Sequence, residues 1–375
     1  MPIIDRYIIS SFLKIFVICF LSFSGLFVII DAFTNLEEFL AIGRRDTVTS
    51  AILNYYGPRV LQFFDQTAPL IALVAAIFTL AMMQRSNEVT AIAAGGISKR
   101  RVVRPIFLAT LIIVLLGVTN RELLIPRFRS QLAMNAQDMS AGKGRSFGLT
   151  VDHETGIQIR GKEVMPAAQS IMAPEFTLPA ELSESGTRIS ADDGVFLPAD
   201  QNHPSGYLLN HVVGEPGKPS ALDEAGQTIV YQPTDHDWLG QDQVFIVSGV
   251  DTLRLAFPKE LARNASLTEM IRSSRNPTSS WSNQHRVDIH WRILKPFFDM
   301  TILLIGIPLV FSRGERNLFL SAGVCLVVVM TMVLVVIASH SMGASRIVTP
   351  PSLAAWLPII IFAPIAAVSF RLLDR

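Results

Sequence analysis

Six strongly apolar runs fall in this chain as two groups of three, and a long polar block separates the groups. The runs extend from about Lys14 to Asp31, Gln66 to Met83, Pro105 to Asn120, Trp291 to Phe311, Leu318 to Ser339 and Leu353 to Phe370. A hydrocarbon core of ~30 Å is crossed by about 20 mostly apolar residues in a helix rising ~1.5 Å per residue, and each run reaches that length with its semi-polar ends. The chain therefore reads as an α-helical membrane protein with three plus three transmembrane helices. Residues 1–121 hold the first three spans, 122–288 form a water-exposed inserted domain, and 289–375 hold the last three. A composition of 50% hydrophobic and only 17% charged residues is too apolar for a soluble chain of 375 residues.

Six spans place both termini on one side, together with the loop from Gln84 to Arg104 and the turn from Ser312 to Asn317. That side carries Arg6, Arg85, Lys99, Arg100, Arg101, Arg104, Arg313, Arg316, Arg371 and Arg375, against Arg44, Arg45 and Arg346 in the short loops opposite. Positive charge marks the cytoplasmic side, so the termini are expected inside and the insert outside. The first run follows Asp5, Arg6 and a semi-apolar lead-in without a small-residue cleavage site, which argues against a cleaved signal. Cys19 and Cys325 fall within apolar runs as packing groups, and no disulfide framework or metal site is implied.

The insert reads as β. Short alternating stretches at Gly156–Arg160, Gly194–Leu197, Gly206–Asn210, Gln227–Tyr231 and Gln243–Val247 are separated by Gly, Pro, Asp and Asn turn signals. No helical period competes before about Leu261, and the pattern suits a sandwich or jelly-roll. Ser266 and Glu269 then make a capping box that opens a short return helix, followed by a turn at Pro277–Trp281.

Several chemistries are excluded by spacing. No G-x-x-x-x-G-K-[ST] loop occurs, and Gly214–Pro219 lacks both the spacing and the hydroxyl of one, so the chain has no ATP site of that kind. The seven histidines are scattered without an H-E-x-x-H pair, and no G-x-S-x-G elbow lies in a span. Asp235-His236-Asp237 reads as a solvated turn rather than a cation site. Within the spans Asp299 and His340 are titratable. Intramembrane charge is a functional candidate, but both sit near an interface, and snorkelling to water is the expected outcome.

The most informative local stretch is the loop Gln84–Arg101. Asn87 to Ala94 has helix formers with Val89, Ile92 and Ala93 at amphipathic spacing, Gly95-Gly96 supplies a stop, and Ser98 suits the N-cap of the next helix. Two readings stand. The short helix is an interfacial connector whose basic residues touch lipid headgroups, or it is a coupling helix that docks into a groove of a cytoplasmic motor, with Glu88 available for a basic partner.

Arg85-Ser86-x-Glu88 followed by Ala94-x-Gly96-x-Ser98 resembles the signature after the second span of permeases of the lipopolysaccharide export ABC transporter, the LptF/LptG type. Asp5-Arg6-Tyr7, Glu122-Leu-Leu-Ile-Pro126, Lys295-Pro296 and Gly306-Ile-Pro308-Leu match as well. The resemblance covers the whole chain. Two departures stand out: Asn87 separates Ser86 from Glu88, and no lysine lies late in the first span.

The resemblance implies a non-enzymatic permease subunit in the bacterial inner membrane with a periplasmic jelly-roll domain and no cofactor of its own. ATP would be bound by a cytoplasmic ABC ATPase dimer, coupled through Arg85, Ser86, Glu88, Gly96 and Ser98. The other implied partners are a second six-span paralogue, a periplasmic β-jelly-roll bridge protein and lipopolysaccharide or a related lipid; no nucleic acid is expected. Arg121, Arg127 and Arg129 are candidates for lipid phosphate, because guanidinium forks suit bidentate contacts. Ile157, Ile159, Phe196, Leu208, Val230, Phe245 and Val247 are candidates for an acyl-chain path through the β domain. The alternative is a membrane sensor or assembly protein with a periplasmic ligand-binding domain, which would call for an output module that this sequence does not contain.

Overall fold

The computed structural model of the chain describes residues 3–43, 48–140, 144–152, 154–179, 188–200, 203–213, 228–233, 238–274, 283–312, 318–345 and 350–371. The first half comprises α1 (Ile3–Thr34), α2 (Leu36–Gly43), α3 (Val48–Arg85), the connector α4 (Glu88–Ala94) and α5 (Lys99–Thr119). The chain leaves α5 through a π-helical turn at Asn120–Leu124 and a tighter one at Ile125–Phe128, then forms α6 (Arg129–Ala133) and α7 (Ala136–Ser140). After the β domain come α11 (Asn283–Ser312), α12 (Leu318–Ser345) and α13 (Pro351–Arg371), and among the described residues six helices are long and apolar enough to cross a membrane. The protein is a multi-pass membrane protein with a β domain inserted between its third and fourth spans.

The first two spans extend furthest beyond their apolar runs. α1 begins at Ile3 rather than near Lys14, since helix propagates through Asp5, Arg6 and an exposed Lys14 without a breaker. α3 starts well before Gln66 because Asn54, Arg59 and Asp65 interrupt apolarity but not helicity. Pro58 and Pro69 are tolerated inside it, as prolines are in membrane helices when neighbours satisfy the freed carbonyls.

The helical core joins both halves. Ile8, Phe12 and Phe16 of α1 pack with Ala72, Ala75 and Ala76 of α3, Val103 and Ile106 of α5, Leu303 and Ile307 of α11, and Met332 of α12. Small residues let helix backbones approach closely where lipid supplies no hydrophobic drive between spans. At Gly306 an added Cβ would lie 2.6 Å from Leu73 Cδ1 and 3.2 Å from Cys325 Sγ, so a larger residue there would have to push these side chains aside. The outer surface of α1 presents Val17, Ile18, Leu21 and Leu26, which a bilayer would cover.

Both described chain ends, near Asp5 and near Phe370, lie at the connector end. Arg101 of α5 pairs with Asp5 at 3.1 Å, and Arg100 sits 5.0 Å over the ring of Phe370 near the end of α13. The β domain occupies the other end of the bundle.

The nine strands among the described residues form one connected antiparallel sheet: β1 (Thr150–Val151), β2 (Gln158–Arg160), β3 (Glu163–Met165), β4 (Ser170–Met172), β5 (Glu175–Thr177), β6 (Arg188–Leu197), β7 (Gly206–Val213), β8 (Val230–Tyr231) and β9 (Gln243–Val247). The order is β1-β2-β5-β6-β7-β9-β8, and the sheet branches at β6, whose first residues pair with β5 and whose later ones pair with β4. Phe176 of β5 and Tyr207 of β7 meet with ring centroids 5.5 Å apart although they register with distant parts of β6, so the sheet curls around a single core. Side-chain parity switches midway: Ala191 pairs with Val212 on the core side, and so does Gly194 with Leu209. His211, with φ 51°, supplies the left-handed residue at the switch.

Tyr207 is fully buried and donates to the Val250 carbonyl at 2.8 Å; burial, with the nearby Asp251 and Asp152 carboxylates, pushes its hydroxyl pKa well up, so it stays a neutral donor. Three short helices return the chain to the bundle: α8 (Thr252–Ala256), capped by Asp251, α9 (Pro258–Arg263) and α10 (Leu267–Ser274). The helical region thus starts at Thr252, earlier than the expected Leu261. The expected capping box is formed, with Ser266 N donating to Glu269 Oε2 at 3.0 Å and Glu269 N to Ser266 Oγ at 3.3 Å. The Pro277–Trp281 turn, Gly214–Pro219 and Asp235–Asp237 lie outside the described residues.

Asp152 is 2% exposed and accepts from Ser248 Oγ at 2.7 Å, Gly249 N at 2.9 Å and Glu154 N at 3.0 Å. Asp152→Ala strands these donors and is expected to destabilise the β domain by about 2–4 kcal/mol. Pulse proteolysis of the full chain in urea measures it; an unchanged midpoint for β-domain cleavage would contradict this account.

Candidate functional site

The stretches singled out in the sequence meet in two polar clusters, one at each end of the bundle. At the connector end Tyr7 of α1 donates to Glu88 Oε1 at 3.2 Å, and Ser86 Oγ lies 3.0 Å from the same oxygen. With the Asp5–Arg101 pair, this ties the start of α1 to both ends of the connector. Among the described residues Glu88 is thus held by two hydroxyls rather than a cation. Val89 and Ile92 pack on the bundle, whereas Ala93 points outward, against the expected amphipathic face.

Gly96 has a conformational duty. With φ 78° it closes α4 through bonds from Gly96 N to Ala93 O at 2.9 Å and from Ile97 N to Ile92 O at 3.3 Å, a paired helix stop that needs a left-handed residue. Ser98 stands at the N-cap of α5 with extended backbone, but its side chain makes no capping bond. Arg85 ends α3 and is exposed.

The second cluster lies where α3, α5 and α11 meet below the β domain. Asp65 of α3, with 3% of its side chain exposed, is paired with Arg121 and faces Lys295 Nζ at 3.8 Å; Lys295 also pairs with Asp299 at 3.2 Å. Pro69 has no N–H to give the carbonyl four residues earlier, that of Asp65, and Lys295 Nζ donates to it at 3.0 Å. Two carboxylates and two cations sum to zero charge, which is how buried charges are tolerated in an apolar setting. The π-helical turn at Asn120–Leu124 carries Arg121 into the bundle, and Asn120 Nδ2 donates to the Leu61 carbonyl at 2.8 Å. Such turns are common at functional positions.

Glu122, next in the turn, looks toward the return helices. It accepts from Leu267 N at 2.7 Å and lies 3.8 Å from Arg292, which donates to the carbonyls of Ala265 and Arg263. The β domain is therefore fastened to α5 and α11 by one carboxylate and one guanidinium. A small cavity beside the cluster is lined by Pro69, Ile113, Gly117, Arg121, Lys295 and Asp299 among others.

These positions revise two expectations. Asp299 does not snorkel: it is buried and neutralised by Lys295 one turn before it on the same face. His340 also turns inward, its Nδ1 3.8 Å from Asp288 Oδ1 and its ring edge-on to Trp291 at 5.1 Å. Asp65 was missed because it borders the apolar run; its place four residues before a mid-helix proline was the available signal. Of the phosphate candidates, Arg121 is committed to Asp65 and Arg129 pairs with Glu269 at 3.1 Å. Arg127 is exposed and makes no ion pair among the described residues.

The seven β-domain positions divide between the two faces of the sheet. Ile157, Ile159, Phe196 and Val230 belong to the curled core. Leu208 and Phe245 register with each other on the opposite face, where Phe245 is enclosed by His203, Tyr231 and Trp238, whereas Val247 packs against the core.

Comparison with protein families finds one description spanning the chain: lipopolysaccharide export system permease LptF/LptG, matched over residues 6–372. No curated protein matches the sequence.

The buried cluster makes a sharp energetic prediction. Lys295→Met alone leaves two buried carboxylates facing one guanidinium, and a loss of about 3–5 kcal/mol is expected. The double variant Lys295→Met with Asp299→Leu removes one charge of each sign and should recover most of that loss. Thermal unfolding of the detergent-purified protein reads both; equal destabilisation in single and double variants would mean that charge balance is not what holds this junction.

Proposed function

This chain belongs to the lipopolysaccharide export permease family LptF/LptG, and from that premise we propose that it is the membrane subunit of an ABC transporter that extracts lipopolysaccharide from the inner membrane and delivers it to a periplasmic bridge. The observation that carries this reading is the polarity of the bundle, with the connector helix, flanked by Arg85 and by Lys99, Arg100, Arg101 and Arg104, and both described chain ends on one side and a β domain on the other. The excess of arginine at the connector end favours a cytoplasmic location for it and a periplasmic one for the β domain.

Extraction moves acyl chains out of lipid at a cost of about 0.8 kcal/mol per CH₂, so it needs both an energy source and an apolar receiver. An ATPase dimer gripping α4 would supply the first, through Arg85, Ser86, Glu88, Gly96 and Ser98. The curled core of the β domain, at whose margin Phe196 is half-buried, would supply the second, with a second six-span subunit completing the lipid cavity. Of the three arginines after the third span, Arg127 is the one with its guanidinium open to a lipid phosphate, and Arg129 would have to leave Glu269 to join it.

In this scheme the Tyr7–Glu88–Ser86 contact transmits motor motion to α1. Glu88→Lys is expected to cut lipopolysaccharide-stimulated ATPase activity at least tenfold in the assembled complex while membrane insertion is unchanged. Wild-type lipid export by cells carrying only Glu88→Lys would remove the coupling role, and purification of the chain without any ATPase would favour a sensor instead.

The acyl path is tested by photo-crosslinkers at Phe196, on the core side, and Leu208, on the opposite face. Capture of lipopolysaccharide at Phe196 that requires ATP is the expected result. Capture only at Leu208 would move the path to the outer face, and capture at neither would remove the β domain from the route.

A further inference from the structure

A second amphipathic site lies at the connector end, away from the Asp65 cluster and the β domain. A groove of about 540 Å³ opens between α5, α11 and α13, lined by Arg100, Arg101 and Arg104 at its mouth and by Phe107, Leu108, Met300, Leu304 and Phe370 below. The three arginines occupy the first two turns of α5. Arg101 keeps 41% of its side chain exposed while bound to Asp5, and Arg104 is exposed and forms no ion pair among the described residues. Below Arg104 the same helix is apolar through Val118.

The dimensions suit one kind of ligand. On α11, Leu304 and Met300 lie eight and twelve residues before the helix end at Ser312, which is about 12 and 18 Å deeper at ~1.5 Å per residue. The groove thus runs from a cationic rim down an apolar wall long enough for the first part of an acyl chain. Phe370 forms a lateral wall, edge-on to Phe107 at 5.7 Å and under the Arg100 guanidinium at 5.0 Å. A soluble phosphate would use the rim and leave the wall bare, and a neutral lipid would use the wall and leave Arg104 without an anion. Basic pockets between spans on the cytoplasmic side are the usual seats of anionic headgroups.

We propose that this groove binds a single anionic phospholipid of the leaflet at the connector end, its phosphodiester on Arg104 and Arg101 and one acyl chain along Leu108, Leu304 and Met300. The site is separate from the one for exported lipid, and it does not depend on the transport reading: it would be present in a resident membrane protein of any function. Its bound lipid would brace the start of α5 against the ends of α11 and α13.

The full chain in its purified complex, stripped in detergent and exchanged into nanodiscs of phosphatidylglycerol and phosphatidylcholine, allows a direct test by native mass spectrometry of retained lipid. Phosphatidylglycerol should be retained over phosphatidylcholine, and Arg104→Gln should lower its occupancy about fivefold, the effect of one basic residue near a membrane surface. Leu108→Asp, which leaves the rim intact, should lower it as well, while Arg85→Gln, a basic residue at the same end but outside the groove, should not. Equal retention by Arg104→Gln and wild type, no preference over phosphatidylcholine, or displacement by 100 mM inorganic phosphate with Leu108→Asp silent would each overturn the proposal. Lipopolysaccharide co-purifying with each variant before stripping separates this site from the transport path: its amount should not follow the Arg104 variant.

Discussion

A carboxylate inside an apolar bundle must be neutralised, and Asp65 is the residue on which the junction of the two halves turns. Its partners come from the end of the third span and from the fourth, so closing its charge draws α3, α5 and α11 to one place. The same contact answers a backbone problem, because Pro69 leaves the Asp65 carbonyl without its helical donor and Lys295 provides one. Glu122 and Arg292 extend the cluster to the return helices, so the β domain inherits its attachment from the same ion-paired floor.

The opposite end is built differently. There the contacts are hydroxyl to carboxylate and exposed guanidinium to carboxylate, each worth little in isolation, and the connector is shaped by a glycine stop rather than by buried charge. A strong junction at one end and a soft one at the other suits the proposed transport role, in which the β-domain attachment holds while the connector moves.

Much of this was legible in the sequence because bilayers leave few options. Runs near the length of the hydrocarbon core become helices whatever their neighbours do, and the capping box at Ser266 and the stop at Gly96 are local devices whose geometry follows from two or three residues. What escaped was non-local. β3, β4 and β5 are three residues each, too short for alternation to register, and they exist because β6 offers its edge. The two-sided distribution of Leu208 and Ile159 could not be read either, since the parity switch at His211 depends on a left-handed residue that sequence does not announce. Asp299 was misplaced for a similar reason: its neutralising lysine was visible at four residues' distance, but the Asp65 carboxylate that makes the pair part of a network lies on another helix.

The Asp65 cluster and the arginines of the connector also act as a ruler. From Asp65 to Arg85 along α3 is twenty residues, about 30 Å at ~1.5 Å per residue, and the polar groups at both marks belong at the edges of the hydrocarbon. Their separation equals the thickness of an average bilayer, so the protein is matched to it with little tilt to spare. In a thicker membrane the charge cluster would be drawn below the interface, and hydrophobic mismatch would then be borne by the junction on which both halves depend.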